Sequence, residues 1–370
     1  MRVLILGGGA IGVSIAYHLA VRGAGVIVIE RSAVACAASG KSGGFLAMDW
    51  CDGTPLMHLA RRSFALHAEL SEKLGGDWGY RRMTTYSGVL GRARDNAPRG
   101  AWHGWVSPNV AIQGQIGSTG TTAQVQPAAF AAGMMRAAEQ RGAELRQGTV
   151  TGLVQRDEDV VGVELNGEAL EGDAVVIAMG PWSILAAQWV PLPPIFGLKG
   201  HSIIFQTGTA IPPEALFLEY AEPAGSVHSP EVFPRADGTT YVCAISSDSP
   251  LPVDPGLVVP DNGAIDKLKA ICNRMSPVLA ESRVLASQAC HRPVTQDGLP
   301  LIGAVPGIRG AYVATGHGVW GILNAPATGE AMAELILDGA ARTVDLAPFD
   351  LARLAALGPD RVAAIRRLRS

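Results

Sequence analysis

Arg2-Val3-Leu4-Ile5-Leu6-Gly7-Gly8-Gly9-Ala10-Ile11-Gly12 opens the chain and decides its fold. The first five residues are mostly aliphatic or β-branched, as in a buried parallel strand. The glycines fit G-x-G-x-x-G. Val13 to Arg22 reads as a helix that Gly23 ends, and Gly25-Val26-Ile27-Val28-Ile29 is a second buried strand running to Glu30. In such a unit Gly7 turns the chain, Gly9 lets the backbone approach a pyrophosphate, and Gly12 packs the helix on the strand. The helix N-terminus offers unpaired N–H groups to phosphates. Glu30, at the tip of the second strand, suits ribose hydroxyls and repels a 2′-phosphate, which argues against NADP. With strand, helix, second strand and acid all in place, a plain glycine turn is the weaker reading. The unit alone does not separate NAD from FAD.

The rest of the composition narrows the class. A chain of 370 residues suits two coupled domains, and 48% hydrophobic content supplies a large core. A net charge of -3 with mixed signs and no basic stripe disfavours nucleic acid. Cys36, Cys51, Cys243, Cys272 and Cys290 are scattered and odd in number, without metal-type spacing. They imply a reduced, cytoplasmic protein and no metal site. Met1 to Ala20 reads as retained strand and helix rather than a signal peptide, and no apolar run reaches the ~18 residues of a membrane span.

Three further segments favour FAD. Ala37-Ala38-Ser39-Gly40-Lys41-Ser42-Gly43-Gly44-Phe45 is a run of small residues suited to close backbone approach. Asp173 to Ile177 is a strand that runs on to Gly180, preceded by a small antiparallel meander at 148–165 in which Val150 is the candidate for adenine. Ala311 to Thr315 is a strand leading into Gly316-His317-Gly318-Val319-Trp320-Gly321-Ile322 and a helix over 325–337. A glycine-rich turn before a helix aims N–H donors at the negative charge of reduced flavin. No second G-x-G-x-x-G lies in mid-chain and no C-x-x-x-x-C pair occurs, which disfavours a disulfide-reductase type.

In that order, GGGAIG, Glu30, ASGKSGG, VVIAMGPW, QDGLPLIG and ATGHGVWGILNAPATGEAMAELIL resemble the D-amino-acid oxidase superfamily, glycine oxidase above all. The AASGKSGGFLAMDWCDG stretch is similar to a second oxidoreductase branch of that superfamily, one that points to no substrate. The resemblance implies an α/β (mixed α+β) fold. A Rossmann-type FAD domain (1–80, 118–190 and 288–350) would interleave with a substrate domain on a large mixed or antiparallel sheet (81–117 and 191–287). A helical tail would follow at 351–370. It also implies non-covalent FAD, held by Gly7, Gly9, Ile11, Gly12, Glu30, Arg31, Ser39, Ser42, Gly43, Gly44, Val150, Gly180, Gly316, Gly318, Gly321 and Ile322. Sarcosine oxidase links its flavin through a cysteine near this last stretch, and this chain has none there.

The resemblance further implies oxidation of a small amine or amino-acid C–N bond, with hydride passing to flavin N5 and dioxygen or another carrier accepting the electrons. Arg292, in Cys290-His291-Arg292-Pro293, matches the arginine that binds a substrate carboxylate; a guanidinium grips one with two charge-assisted bonds. The bland reading of Arg292 is an interdomain ion pair. His317 is the catalytic candidate, against a packed, hydrogen-bonded histidine. Lys41 reads as solvated, Lys199 and His201 as pocket or edge-strand residues, and Trp50, Tyr220, Tyr241 and Trp320 as pocket walls or core. Ser229 to Arg235 shows no counterpart of the family's carboxylate-binding tyrosine. Two alternatives stay open: a flavin-holding assembly protein with vestigial catalysis, and an NAD-dependent dehydrogenase.

Overall fold

The opening strand, Arg2–Leu6, lies inside a six-stranded sheet. Gly25–Glu30 and Ala174–Ile177 flank it in parallel. Glu144–Gln147 extends one side and Ala311–Thr315 the other, both parallel, and Leu301–Ala304 closes an edge antiparallel. Val3 to Leu6 are buried on both faces, as their unbroken apolar run requires. Connections leave Arg2–Leu6 in both directions, so a crevice opens beyond the carboxyl ends of these strands. The computed structural model describes residues 1–91, 104–222 and 225–357.

Helix Ala10–Val21 runs back from that crevice and is buried almost all round. Glycine sets its distance to both neighbours. A Cβ on Gly12 would stand 2.0 Å from the Gly7 carbonyl oxygen, and one on Gly329 2.6 Å from the Ser14 backbone. Gly329 belongs to helix Gly321–Asp338, which, like Pro127–Glu139, packs on Ala10–Val21 in one shared core.

Pro326 lies inside helix Gly321–Asp338. It has no N–H for the Ile322 carbonyl one turn back. Helix Met57–Lys73 repairs the gap with two residues on one face. His67 Nε2 lies 2.9 Å from the Ile322 oxygen and 3.2 Å from that of Leu323, while the Ala327 N–H donates to Ser63 Oγ at 3.0 Å. Both side chains are fully buried.

A second, eight-stranded mixed sheet carries the strands Arg283–Val294, Phe196–Gln206, Thr239–Ser247, Glu231–Pro234, Glu214–Ala221, Thr84–Leu90 and Val110–Gly117 in that order. Val227–His228 pairs alongside Glu214–Ala221. Alternation decides the two faces. Ile203, Phe205, Val232 and Val242 pack under helix Ala264–Met275, whereas Phe233, Tyr241 and Cys243 turn the other way. Phe45–Ala47, Thr122–Gln124 and Arg81–Arg82 form a small antiparallel sheet with Thr122–Gln124 in the middle. The meander Val150–Arg156, Asp159–Leu165 and Glu168–Glu171 packs against the first.

The large sheet does not stop at 288. Strand Arg283–Val294 passes through that position, held by pairing to Phe196–Gln206 from end to end. Phe196–Gln206 is itself an interior strand, so Lys199 and His201 are not on an edge. Of the expected tail helix, Leu351–Arg353 form a single 3-10 turn, and 358–370 lie outside the described residues. Among the described residues no helix is long and apolar enough to cross a membrane.

Burial pushes the His67 pKa from 6.5 down to about 4. The folded imidazole therefore stays neutral where the unfolded one takes a proton. Stability falls as the pH drops from about 6.5 towards 4, by up to ~1.4 kcal/mol per pH unit. We expect His67→Ala to cost roughly 1–3 kcal/mol at neutral pH by orphaning two carbonyls. His67→Gln keeps a donor and should flatten the acid slope. Urea unfolding between pH 5 and 7.5 checks both, and an unchanged slope in His67→Gln would refute the assignment.

Candidate active site

A cavity of about 730 Å³ occupies the crevice and reaches the second sheet. It gathers Gly7, Gly9, Ile11, Glu30, Arg31, Ser39, Ser42, Gly43, Gly44, Val150, Gly180, Gly318, Gly321 and Ile322, together with Arg292 and His317. Two expected contacts stand outside the wall. Gly12 faces Gly7 beneath the turn, and Gly316 packs against Thr295, where a Cβ would meet the methyl at 2.7 Å.

Glu30 is engaged before any ligand arrives. Its Oε2 accepts the Gly8 N–H at 2.7 Å and its Oε1 the Ser32 N–H at 2.9 Å. A carboxylate has about four acceptor sites, so capacity remains for ribose hydroxyls. Ser39 Oγ accepts the Ala10 N–H at 2.9 Å and so ties the small-residue loop to the helix terminus. Val150 enters the wall with Gly148, Thr149 and Thr151, because the Gly148 N–H bonds the Glu30 carbonyl at 2.9 Å.

A proline-rich segment supplies another wall through Val253 and Pro255. Arg31 donates to the Val253 carbonyl at 3.0 Å and Trp182 Nε1 to that of Pro252 at 2.8 Å. Its far end is pinned by Asp261, which accepts from Lys199 Nζ at 2.5 Å and from Ser247 and Ser249 at 2.5 and 2.8 Å. What burial adds to the Asp261 pKa, those donors more than remove, leaving it below the ordinary carboxylate range. Lys199 thus serves the segment and not the cavity.

At the second sheet, Arg292 and Cys290 line the cavity from one strand, Tyr241 and Cys243 from another, and Glu231 and Phe233 from a third. Trp50, Phe217 and Phe45 add aromatic wall, with Phe45 stacked on Phe233 at 5.2 Å. Trp320 lines the cavity too, whereas Tyr220 belongs to the core on the other face. His317 is buried, its Nε2 3.1 Å from Thr328 Oγ1 and its Nδ1 without a partner. Burial pushes its pKa down to about 3, so the ring is neutral at ordinary pH.

The family model DAO, FAD dependent oxidoreductase, matches residues 2–335. The chain belongs to this family of FAD-dependent oxidoreductases. An oxidoreductase of Schizosaccharomyces pombe is 30% identical over 94% of this chain and 97% of its own. Glycine oxidase of Geobacillus kaustophilus is 28% identical over 95% and 96%. In fold, the chain matches a glycine oxidase structure from Bacillus cereus with a TM-score of 0.76 at 24% identity, covering 91% and 95% of the two chains. It matches the L-amino acid deaminase of Proteus vulgaris with 0.78 at 19%, covering 95% and 97%.

The cofactor of this flavoenzyme is FAD, and the walls fit it. The glycine turn adds no side chain of its own at the helix N-terminus, and the buried Nδ1 of His317 offers one unsatisfied polar atom in the wall. An NAD-dependent dehydrogenase is set aside by the family. Sequence reasoning missed Glu231, Phe217 and Phe233. Alternation along Glu231–Pro234 marks two of them, once it is known which face is inward.

Arg31→Ala should raise the rate of FAD loss by about fivefold, the equivalent of one ~1 kcal/mol hydrogen bond. Flavin fluorescence after dilution measures it. An unchanged rate would show that the Arg31–Val253 tie plays no part in retention.

Proposed function

We propose that this flavoenzyme oxidises the C–N bond of a small amine or amino acid that enters as a carboxylate and is anchored by Arg292. One observation carries the reading: the Arg292 side chain lines the cavity beside the His317–Ile322 turn, without a carboxylate partner within 4.0 Å among the described residues. A guanidinium so placed is an open receptor for a carboxylate. The glycine oxidase likeness supports the same substrate class.

Bound FAD supplies the two-electron acceptor, reoxidised by dioxygen or another carrier. The protein's own residues bind and orient. Arg292 fixes the carboxylate end. Trp50, Phe217, Phe233 and Trp320 exclude water and confine the rest of the substrate. Gly7, Gly9, Ile11, Glu30, Arg31, Ser39, Ser42, Gly43, Gly44, Val150, Gly180, Gly318, Gly321 and Ile322 form the cofactor cradle, with Gly12 and Gly316 shaping it from behind. His317 acts as a neutral hydrogen-bonding group at the cavity wall, not as a cation. Residues 1–80, 118–190 and 295–350 make up the cofactor half, and the reduced cysteines favour the cytoplasm.

Anaerobic mixing of the yellow holoenzyme with a panel of small amino acids and amines tests this. Bleaching by an amino acid is expected, and in Arg292→Ala it should require roughly 100-fold more substrate, as for a charged hydrogen-bond pair. Bleaching that is indifferent to Arg292→Ala, or by amines without a carboxylate alone, would overturn the reading.

A further inference from the structure

Arg292 is not the only charge on the cavity wall. Glu231 lies on the same face of the large sheet. Two strands, Phe196–Gln206 and Thr239–Ser247, lie between them, roughly 14 Å across the sheet at ~4.8 Å per spacing, and the two are also offset along it, Arg292 lying at the level of Leu198 and Glu231 at that of Ser202. Arg292 spans part of that gap by lying across Gly200, where a Cβ would meet its guanidinium at 3.0 Å. The two charges still do not close on each other. Among the described residues neither has an ion-pair partner within 4.0 Å. Arg292 donates to Ser246 Oγ at 3.3 Å, and Glu231 accepts from Cys243 Sγ at 3.4 Å.

A cation and a carboxylate share one cavity here, each with one neutral hydrogen-bond partner and neither with a counter-ion among the described residues. A ligand bearing both opposite charges supplies each with a counter-charge. Simple amines leave Arg292 unpaired, and simple carboxylates leave Glu231 unpaired.

We propose that Glu231 is the receptor for the substrate's amine, so that Glu231 and Arg292 together select a zwitterionic α-amino acid. The inference rests on the reading of this cavity as an amino-acid site and narrows it. The same carboxylate takes the proton that the ammonium must lose before its nitrogen lone pair can assist hydride departure. One N–H bond breaks, one O–H bond forms at Glu231, and the pair goes from two opposite charges to none, with no oxidant involved. Burial raises the Glu231 pKa, and the Arg292 charge opposes this only in part, which makes it a better acceptor than a surface glutamate. The other titratable groups on this wall, Tyr241, Cys243 and Cys290, are all pushed upwards by burial and stay neutral around pH 7.

The test uses holoenzyme and ligands that cannot react, because the amino acids chosen lack an α-hydrogen and their deaminated partners lack the C–N bond. α-Aminoisobutyrate is compared with isobutyrate, and α-methylphenylalanine with 2-methyl-3-phenylpropanoate, by flavin absorbance perturbation and calorimetry. Wild type should bind each amine-bearing acid at least tenfold more tightly than its deaminated partner. Glu231→Gln should abolish that preference and keep the affinity for the deaminated acid, which also shows that the variant is folded. Arg292→Ala should weaken all four. With the amino acid that bleaches the flavin, Glu231→Gln should lower kcat/KM at pH 7 by about 100-fold, recovering as the pH approaches the amine's own pKa. A preference that survives in Glu231→Gln, or is absent from wild type, overturns the Glu231 assignment alone. Failure of wild type to bind any of the four overturns the amino-acid reading with it.

Discussion

The distance between helix Ala10–Val21 and its neighbours governs the rest of the molecule. Gly12 brings the helix against the Gly7 carbonyl, and Gly329 brings the last long helix against Ser14. No side chain fits at either contact, so the helix has one seat. That seat aims its N-terminus at the carboxyl ends of Arg2–Leu6, Gly25–Glu30 and Ala174–Ile177. Close packing carries the constraint outwards, because interiors this dense transmit a displacement instead of absorbing it. The same contact places Gly321 and Ile322, at the start of the Gly329 helix, on the cavity wall.

That last helix would not hold its first turn unaided. Pro326 frees backbone groups in a buried place, where an unpaired group costs as much as a lost hydrogen bond. Ser63 and His67 supply what Pro326 removes. A defect in one helix is thus matched by two polar residues on another, more than 250 positions away in the chain.

Half of the site was legible in the sequence because its determinants are local. A buried strand, a glycine turn and a terminal acid lie within thirty residues of the start, and each has its own backbone reason. Arg292 was legible through the segment that follows it. Glu231 was not. It sits in a short strand whose inward face depends on the pairing Glu231 to Cys243, and that register follows from the hairpin as a whole. The matching of His67 to Pro326 is invisible for the same reason: nothing near either residue mentions the other. The end of the large sheet was misplaced by a few residues because Arg283–Val294 mixes polar and apolar positions until its partner strand is known.

The two sheets contribute in different currencies. The first offers backbone: glycine turns, a helix terminus and carbonyls, which suit a cofactor shared by many enzymes. The second offers side chains on alternate positions of three strands, where one substitution changes a charge or a ring without moving the fold. On the proposed reading, selectivity belongs to Arg292, Glu231 and the aromatic wall. The proline-rich segment between Ser247 and Asp261 joins the two halves, since it is pinned to the second sheet by Lys199 and tied to the first by Arg31 and Trp182.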